Sequence, residues 1–176
     1  TESTILNISG GTITSLKYNA LMQEKGTTTL SGGTLTSTES TAISMTGGTI
    51  TTSGSTINAP SDNGNGVFVA GGTFNIYGGA INAHKYGIIA DGGTTNMGNN
   101  TEVLSRTTPA ITANVGLSKN TETNGTWNFY NGILKGADKA YDVEPNAKRD
   151  NSDIMHNTED ISGTTYKTAY LNTIIP

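Results

Sequence analysis

The side chains that could take part in acid–base chemistry are few and far apart in this chain. Glu39, Asp62 and His84 occupy corresponding places in successive sequence repeats, described below, and could lie within reach of one another. A general acid and a general base must both face one scissile bond, and most glycosidases use two carboxyl groups for this purpose. Three unlike residues in predicted turns are more typical of solvated surface. We therefore predict no catalytic residues and expect that the chain is not an enzyme; a polysaccharide-active lyase or hydrolase is the main alternative.

Metal ligation receives little support from the sequence. The absence of Cys excludes thiolate sites. The segment SDNGNG at 61–66 lacks the spaced acids and the terminal Glu of a calcium loop. His84 and His156 have no second ligand at a suitable spacing, and the acids between 150 and 160 are more typical of a solvated surface. We predict no metal and no cofactor.

A second set of residues could bind a ligand instead. The turn after the second predicted strand varies most between repeats, and in a stack of repeats these turns would form one lateral stripe. Tyrosine rings suit a sugar face, and lysine ammonium groups donate hydrogen bonds. The candidate binding residues, called the turn stripe below, are Lys17, Tyr18, Glu39, Asp62, His84, Lys85 and Tyr86. Variable turns are also typical of relaxed constraint, so both interpretations stay open.

Threonine and asparagine recur on the outward side of the first predicted strand. The pairs are Thr27 and Thr29, Thr49 and Thr51, Thr73 and Asn75, Thr94 and Asn96, and Thr126 and Asn128. A flat face of regularly spaced Thr could match ordered water, which would indicate ice binding. Asn replaces the second Thr in three of these pairs, and such ladders are ordinary on a β-solenoid surface. Ice binding is therefore the less favoured alternative.

The element that must position all these residues is a repeat of about 22 residues. A Gly pair or a close variant recurs in LNISGGTI, TLSGGTLT, TTSGSTIN, NIYGGAIN and NFYNGILK. Apolar residues alternate with Thr or Asn, which is the period of a β-strand. Alignment gives four columns: Leu6, Thr28, Ile50, Phe74, Thr95 and Trp127; Ile8, Leu30, Thr52, Ile76, Met97 and Phe129; Ile13, Leu35, Ile57, Ile81 and Leu134; and Leu21, Ile43, Val67, Ile88, Leu117 and Tyr141.

One such repeat cannot bury its own apolar side, whereas stacked repeats bury a continuous narrow core. We therefore predict an all-β fold, a right-handed parallel β-helix (β-solenoid) of about six coils with a C-terminal cap. The Gly pairs would provide a positive φ or a close backbone approach at the corners. Asn100 and Asn131 would serve as left-handed residues in degenerate coils. The extra residues around Arg106–Pro109 would form a surface loop, where binding often occurs.

The two ends of the chain differ in their sequence. Residues 1–142 form the predicted repeat domain, and 143–176 form a capping segment that is loop-rich up to a final strand around Tyr166 and Tyr170. A cap is expected because the open end of a solenoid is an unpaired edge. Nothing similar stands before the first repeat, so we expect a monomeric fragment of a larger chain with further coils.

The charge and hydropathy of the chain exclude two classes of partner. The net charge is −4 and the isoelectric point is about 5.0, whereas nucleic-acid binding requires a basic face. No apolar run approaches the roughly 18 residues of a membrane span. We therefore expect no nucleic-acid partner and no membrane insertion by this segment.

Units such as NISGGTITS resemble the β-helical repeats of large surface proteins of Gram-positive bacteria, and TWNFYNGILKGADKAY followed by YKTAYL resembles the end of such a repeat array. The resemblance spans nearly the whole chain. It implies the pectate-lyase-like right-handed β-helix superfamily, an extracellular position on the bacterial cell surface, and a role as adhesin or stalk. The implied partners are host or environmental glycans or surface proteins.

Overall fold

The computed structural model describes residues 4–120 and 122–173. Within these residues the structure is all β and contains seventeen strands. The strands are β1 (Ile5–Ser15), β2 (Leu21–Gln23), β3 (Thr27–Ser37), β4 (Ile43–Met45), β5 (Thr49–Thr52), β6 (Thr56–Ala59), β7 (Asn65–Val69), β8 (Thr73–Ile76), β9 (Ala80–Ala83), β10 (Tyr86–Ala90), β11 (Thr94–Met97), β12 (Ala110–Lys119), β13 (Thr126–Phe129), β14 (Ile133–Tyr141), β15 (Ala147–Lys148), β16 (Ser152–Ile161) and β17 (Thr164–Thr173).

The strands up to β14 stack in parallel register as a β-solenoid of about six coils, as predicted. Each coil has a first strand segment before the Gly pair, a second segment after it and a third segment that closes the coil. The predicted columns are register partners: Leu30 lies between Ile8 and Thr52, and Ile76 follows Thr52. The third column contains one residue that the sequence alignment missed, Ile111, which pairs with both Ile81 and Leu134.

The columns form one narrow core that runs the length of the stack. Trp127, placed in the first column by its spacing, is fully buried, and its ring centroid lies 5.4 Å from that of Phe129. The indole nitrogen donates a hydrogen bond to the carbonyl oxygen of Val143 at 3.1 Å. Two inward hydroxyl groups, those of Thr52 and Thr95, have no hydrogen-bond partner among the described residues.

The Gly pairs serve both functions expected of them. In the second coil, Gly33 has a φ of +84°, and a Cβ on Gly32 would lie 2.5 Å from the carbonyl oxygen of Ser9 in the coil before. The prediction of left-handed Asn100 and Asn131 is wrong, because neither has a positive φ. Gly132, with a φ of 97°, takes that conformation instead, since a residue without a Cβ adopts it at no steric cost.

The extra residues of the fifth coil form a loop at 98–109, which includes the predicted segment Arg106–Pro109. The side chain of Asn131 holds this loop: it accepts a hydrogen bond from the Ser105 N–H at 2.6 Å and donates one to the Val103 carbonyl at 3.0 Å. Arg106 donates to Asn172 of β17 at 2.6 Å. The loop is therefore fixed both to the last coil and to the C-terminal segment.

The C-terminal segment contains more regular structure than its sequence predicts. The expectation of a loop-rich stretch is wrong for β16, which pairs antiparallel with β17 over its whole length. Ser162 and Gly163 connect the two strands with φ values of 51° and 83°, the conformation of a tight two-residue hairpin turn. Strand β17 also pairs antiparallel with β14. The hairpin thus covers the edge of the last coil.

Candidate functional site

The second strand segment of each coil presents one column of side chains to the outside. They alternate with the buried third column, because successive side chains of a strand point to opposite faces. Register pairing places them one above another. This outward column consists of Thr14, Thr36, Asn58, Asn82, Thr112 and Lys135. Hydroxyl and amide groups therefore form most of the column, and a single cation ends it.

A groove of about 460 Å³ lies against the middle of this column. Its volume falls within the roughly 300–1,000 Å³ that is usual for small-ligand sites. The residues that line it, which together define the Tyr166 groove, are Thr36, Asn58, Pro60, Asn82, Ala83, His84, Thr112 and Tyr166. Seven of these come from the solenoid, and Tyr166 comes from the hairpin. The groove thus combines the two parts of the fold.

The hairpin is tied to the outward column by an ion pair. The Nζ atom of Lys135, the last residue of the column, lies 2.7 Å from Oε2 of Glu159 on β16. Glu159 is the register partner of Tyr166 across the hairpin. The ion pair therefore connects the Glu159–Tyr166 residue pair of the hairpin to the end of the outward column. Lys135 is the more buried partner, with its side chain 17% exposed.

The groove offers hydrogen-bonding groups that the protein itself does not saturate. The Asn82 amide donates to Oδ1 of Asn58 at 3.1 Å. A primary amide has two N–H donors and an oxygen with two lone pairs, and each threonine hydroxyl both donates and accepts. Further capacity therefore remains along the column. The described lining residues include no carboxylate, and His84 is the titratable group of the solenoid wall.

His84 has one acidic neighbour. Its Nε2 atom lies 3.8 Å from Oδ1 of Asp62, and its Nδ1 atom lies 3.3 Å from the Asp62 carbonyl oxygen. The Asp62 side chain is 95% exposed, and exposed pairs of this kind contribute little to stability. The backbone of His84 is held by its N–H bond to the Ala59 carbonyl. The pair is a solvated contact at the margin of the groove.

The turn stripe is only partly assembled. Lys17 and Tyr18 lie exposed between β1 and β2, and Glu39 lies exposed between β3 and β4. Among the described residues, no hydrogen bond, ion pair or cation–π contact joins Lys17, Tyr18 or Glu39 to another residue of the stripe. Of the seven stripe residues, all of which are described, His84 alone lines the groove.

Lys85 and Tyr86 form the second local contact within the stripe. The Lys85 ammonium lies 5.4 Å from the centroid of the Tyr86 ring, which is within cation–π range. Tyr86 is the first residue of β10 rather than a turn residue. Asp62 with His84 and Lys85 with Tyr86 are thus the two pairs that the fold brings together, and neither involves Lys17, Tyr18 or Glu39.

Side chains on the outward Thr and Asn face of the first strand segments hydrogen-bond to one another. The Asn128 amide donates to Asn96 at 2.7 Å, and the Asn96 amide donates to Asn75 at 2.8 Å. Asn75 in turn donates to the hydroxyl of Thr51 at 3.3 Å. These bonds run along the stack and stabilise it, and each of the three amides uses one of its two N–H donors in them.

A second cavity of about 250 Å³ lies beside the hairpin and is lined by Lys139, Ala140, Tyr141, His156, Asn157, Lys167 and Thr168. The Tyr141 hydroxyl lies 3.3 Å from Nε2 of His156. Burial raises the pKa of Tyr141 above its usual value, and the nearby carboxylates of Glu144 and Asp153 add to the effect. These mixed charges favour no single class of ligand.

Two further classes of feature, metal clusters and membrane-spanning helices, do not occur in the part of the chain that the structure describes. Residues 4–120 and 122–173 contain no cluster of three or more His, Cys, Asp or Glu side chains that could hold a metal ion. They also contain no helix of the length and hydropathy that a bilayer crossing requires.

Sequence reasoning missed most of the groove. The outward hydroxyl and amide column was visible as the polar residues that alternate with the third apolar column. Tyr166 carried no such signal, because its contribution depends on how the hairpin packs against the last coil.

Comparison with known proteins adds no relative. No family model, no curated protein and no solved structure matches this chain. The likeness to Gram-positive surface proteins therefore depends on the repeat motifs alone, whereas the β-solenoid itself is seen directly in the structure.

Proposed function

We propose that this chain is a non-catalytic binding solenoid of a bacterial cell surface, an adhesin or stalk that holds a neutral glycan in the Tyr166 groove. The observation that carries the proposal is the lining of that groove, in which amide and hydroxyl side chains stand in register beside a tyrosine. A tyrosine ring offers an apolar face for a sugar ring, and the amides and hydroxyls exchange hydrogen bonds with sugar hydroxyls.

The spacing of the outward column favours an extended chain as the ligand. Asn58, Asn82 and Thr112 belong to three successive coils, and adjacent strands lie about 4.8 Å apart. This distance is close to the advance per sugar unit of an extended glycan. Each sugar unit would therefore contact one residue of the outward column, and the glycan would lie along the solenoid axis.

The charge of the groove favours a neutral ligand and binding without turnover. Most glycoside hydrolases use two carboxyl groups that flank the scissile bond, and the described lining residues provide none. Of the acids beside the groove, Asp62 is almost fully exposed and contacts His84, and Glu159 is paired with Lys135. These features support the non-catalytic proposal over a polysaccharide-active enzyme.

The cellular setting comes from the resemblance of the repeats. Surface proteins of Gram-positive bacteria with similar repeats suggest an extracellular solenoid of the pectate-lyase-like, right-handed class. A stack of coils separates its two ends by about 4.8 Å per coil, which suits a stalk. A groove on its side suits an adhesin for host or environmental glycans.

The test begins with a glycan array probed with the intact chain, followed by calorimetric titration of the best neutral oligosaccharide. We expect Tyr166→Ala to weaken binding about five- to thirtyfold, because the aromatic contact contributes on the order of 1–2 kcal/mol. Tyr166→Phe should retain most of the affinity. Tyr18→Ala is the matched control, since Tyr18 is 77% exposed and lies in the turn stripe away from the groove.

Three results would overturn the proposal. A blank array would remove the ligand. Loss of binding in Tyr18→Ala but not in Tyr166→Ala would move the site to the turn stripe. Release of new reducing or unsaturated ends from the bound glycan would show an enzyme. Equal melting temperatures of the variants would establish that the comparison concerns binding rather than folding.

A further inference from the structure

The first coil leaves its side of the core uncovered. Leu6 is 40% exposed and Ile13 is 37% exposed. Their register partners in the second coil are Thr28 and Leu35, both of which are buried. The columns therefore begin with apolar side chains that no described residue covers. Strand β1 also has one paired edge, toward β3, and one edge with no strand partner among the described residues.

The Gly pair of the first coil points to what would cover that edge. In three later coils, a Cβ on the first Gly of the pair would collide with a carbonyl oxygen of the coil before. The distances are 2.5 Å for Gly32 with Ser9, 2.6 Å for Gly54 with Ser31 and 2.4 Å for Gly78 with Ser53. In these three coils Gly is thus required by the coil stacked before it, whereas in the last coil, which follows the loop at 98–109, Asn131 takes the equivalent position.

Gly10 is the equivalent residue of the first coil, yet it has no such neighbour. Among the described residues, no heavy atom beyond its chain neighbours lies within 4 Å of the position its Cβ would take. Its φ is not positive either, unlike that of Gly11. Nothing in the described structure therefore requires Gly at position 10. Gly would be required at position 10 if another coil stacked on β1, because a carbonyl oxygen of that coil would then lie close to the position of the Cβ.

We propose that the free edge of β1 is a docking surface for one further β-solenoid coil of the same repeat, stacked in parallel and in register. The carbonyl oxygen before the Gly pair of that coil would occupy the space above Gly10, as that of Ser9 does above Gly32. The coil would also bury Leu6 and Ile13, as the first coil buries Thr28 and Leu35. Such a coil would pair the free backbone groups of the exposed strand edge and cover the exposed apolar side chains.

A second copy of this chain fits the surface less well. In head-to-tail stacking the copy would have to offer the edge of its last coil, and the β14 edge is already paired antiparallel with β17. The turn between β16 and β17 also holds this hairpin closed. The parallel edge that β1 requires is therefore taken in the copy.

The experiment adds a coil and asks whether Gly10 then matters. A second copy of residues 27–48 is placed directly before Ile5, which keeps the spacing of 22 residues between Ile5 and Thr27. We expect the extended chain to melt at least about 5 °C higher, since each added interface stabilises a repeat protein. Backbone amides of β1 should become protected against hydrogen exchange.

Gly10→Val is the decisive variant. It should leave the melting temperature of the original chain within about 1 °C, because open space surrounds the position, and it should remove most of the gain in the extended chain. Gly32→Val is the positive control and should destabilise both chains. The proposal fails if the added coil brings no stabilisation or if Gly10→Val destabilises the original chain. It also fails if the original chain forms dimers that Gly10→Val disrupts, since the occupant would then be a second copy.

Discussion

Lys135 at the end of the outward column and Glu159 on the hairpin form an ion pair of 2.7 Å that joins the solenoid to its C-terminal segment. Lys135 pairs in register with Thr112, which lines the groove, and Glu159 pairs with Tyr166, which also lines it. Each charged residue is therefore the direct strand partner of a residue that lines the groove, one on the solenoid wall and one on the hairpin. Their contact adds to the strand pairing of β14 with β17 that places Tyr166 beside the outward column.

Breaking this pair should affect ligand affinity more than stability. We expect Lys135→Met to lower the affinity for the groove ligand several-fold while unfolding free energy falls by less than about 1 kcal/mol, because the pair is partly exposed. Lys148→Met is the matched control: it breaks the 2.8 Å pair with Asp153 outside the groove. Calorimetric titration and urea denaturation of both variants check the prediction. Equal affinity losses in the two variants would contradict it.

The apolar column can be tested at Ile76, which is fully buried and pairs with both Thr52 and Met97. Ile76→Asp should unfold the domain, because an isolated carboxylate in a dry core costs several kcal/mol. Lys85→Ala, on the surface, should melt like the parent. Circular dichroism melting curves distinguish the two. An Ile76→Asp variant that melts like the parent would refute the stacked core.

Thr95 offers a change in the opposite direction. Its side chain is fully buried, and its hydroxyl has no partner among the described residues. Thr95→Val keeps the shape and removes the unpaired polar group, so we expect a gain of about 1–2 kcal/mol in unfolding free energy. Thr94→Val on the adjacent outward position should change it by less than about 0.5 kcal/mol. A loss of stability in Thr95→Val would indicate an ordered partner for the hydroxyl.

Asn131 should control the order of the loop at 98–109. Its side chain is 4% exposed and bonds to both Ser105 and Val103. Asn131→Ala should cost about 1–3 kcal/mol, because it leaves buried loop groups unpaired. The loop should also become sensitive to limited proteolysis. Asn100→Ala is the control within the loop, since only the backbone carbonyl of Asn100 accepts a bond from Arg149. Resistance of the Asn131→Ala loop to protease would contradict the anchoring role.

The sequence predicts the solenoid well because its signal is repeated. Alternation within each strand and a nearly constant step between strands fix the partners of residues such as Leu30 and Ile76. Ile111 was missed because the loop at 98–109 interrupts the step before it. The β16–β17 hairpin was missed for another reason: most of β16 is exposed and polar, so it lacks the alternation that marks a half-buried strand.

The groove could be predicted only in part. Its solenoid side follows from the alternation of Asn58 and Asn82 with the buried third column. Its other side depends on Tyr166, whose position results from antiparallel pairing across the end of the stack. This antiparallel pairing occurs outside the repeat, so no periodic pattern in the sequence indicates it. The turn stripe, by contrast, was predicted from corresponding positions alone, and among the described residues only its Asp62 and His84 contact each other across coils.

Side-chain hydrogen bonds connect Asn128 to Asn96, Asn96 to Asn75 and Asn75 to Thr51, and in each bond the amide donates toward the earlier coil. The dipoles of these side chains consequently add instead of cancelling, and each one polarises the next. That face of the molecule has an electrical polarity along its length, with acceptor oxygen at the Asn128 end. Reversing one amide would require its neighbours to reverse as well, so the row acts as a single cooperative unit.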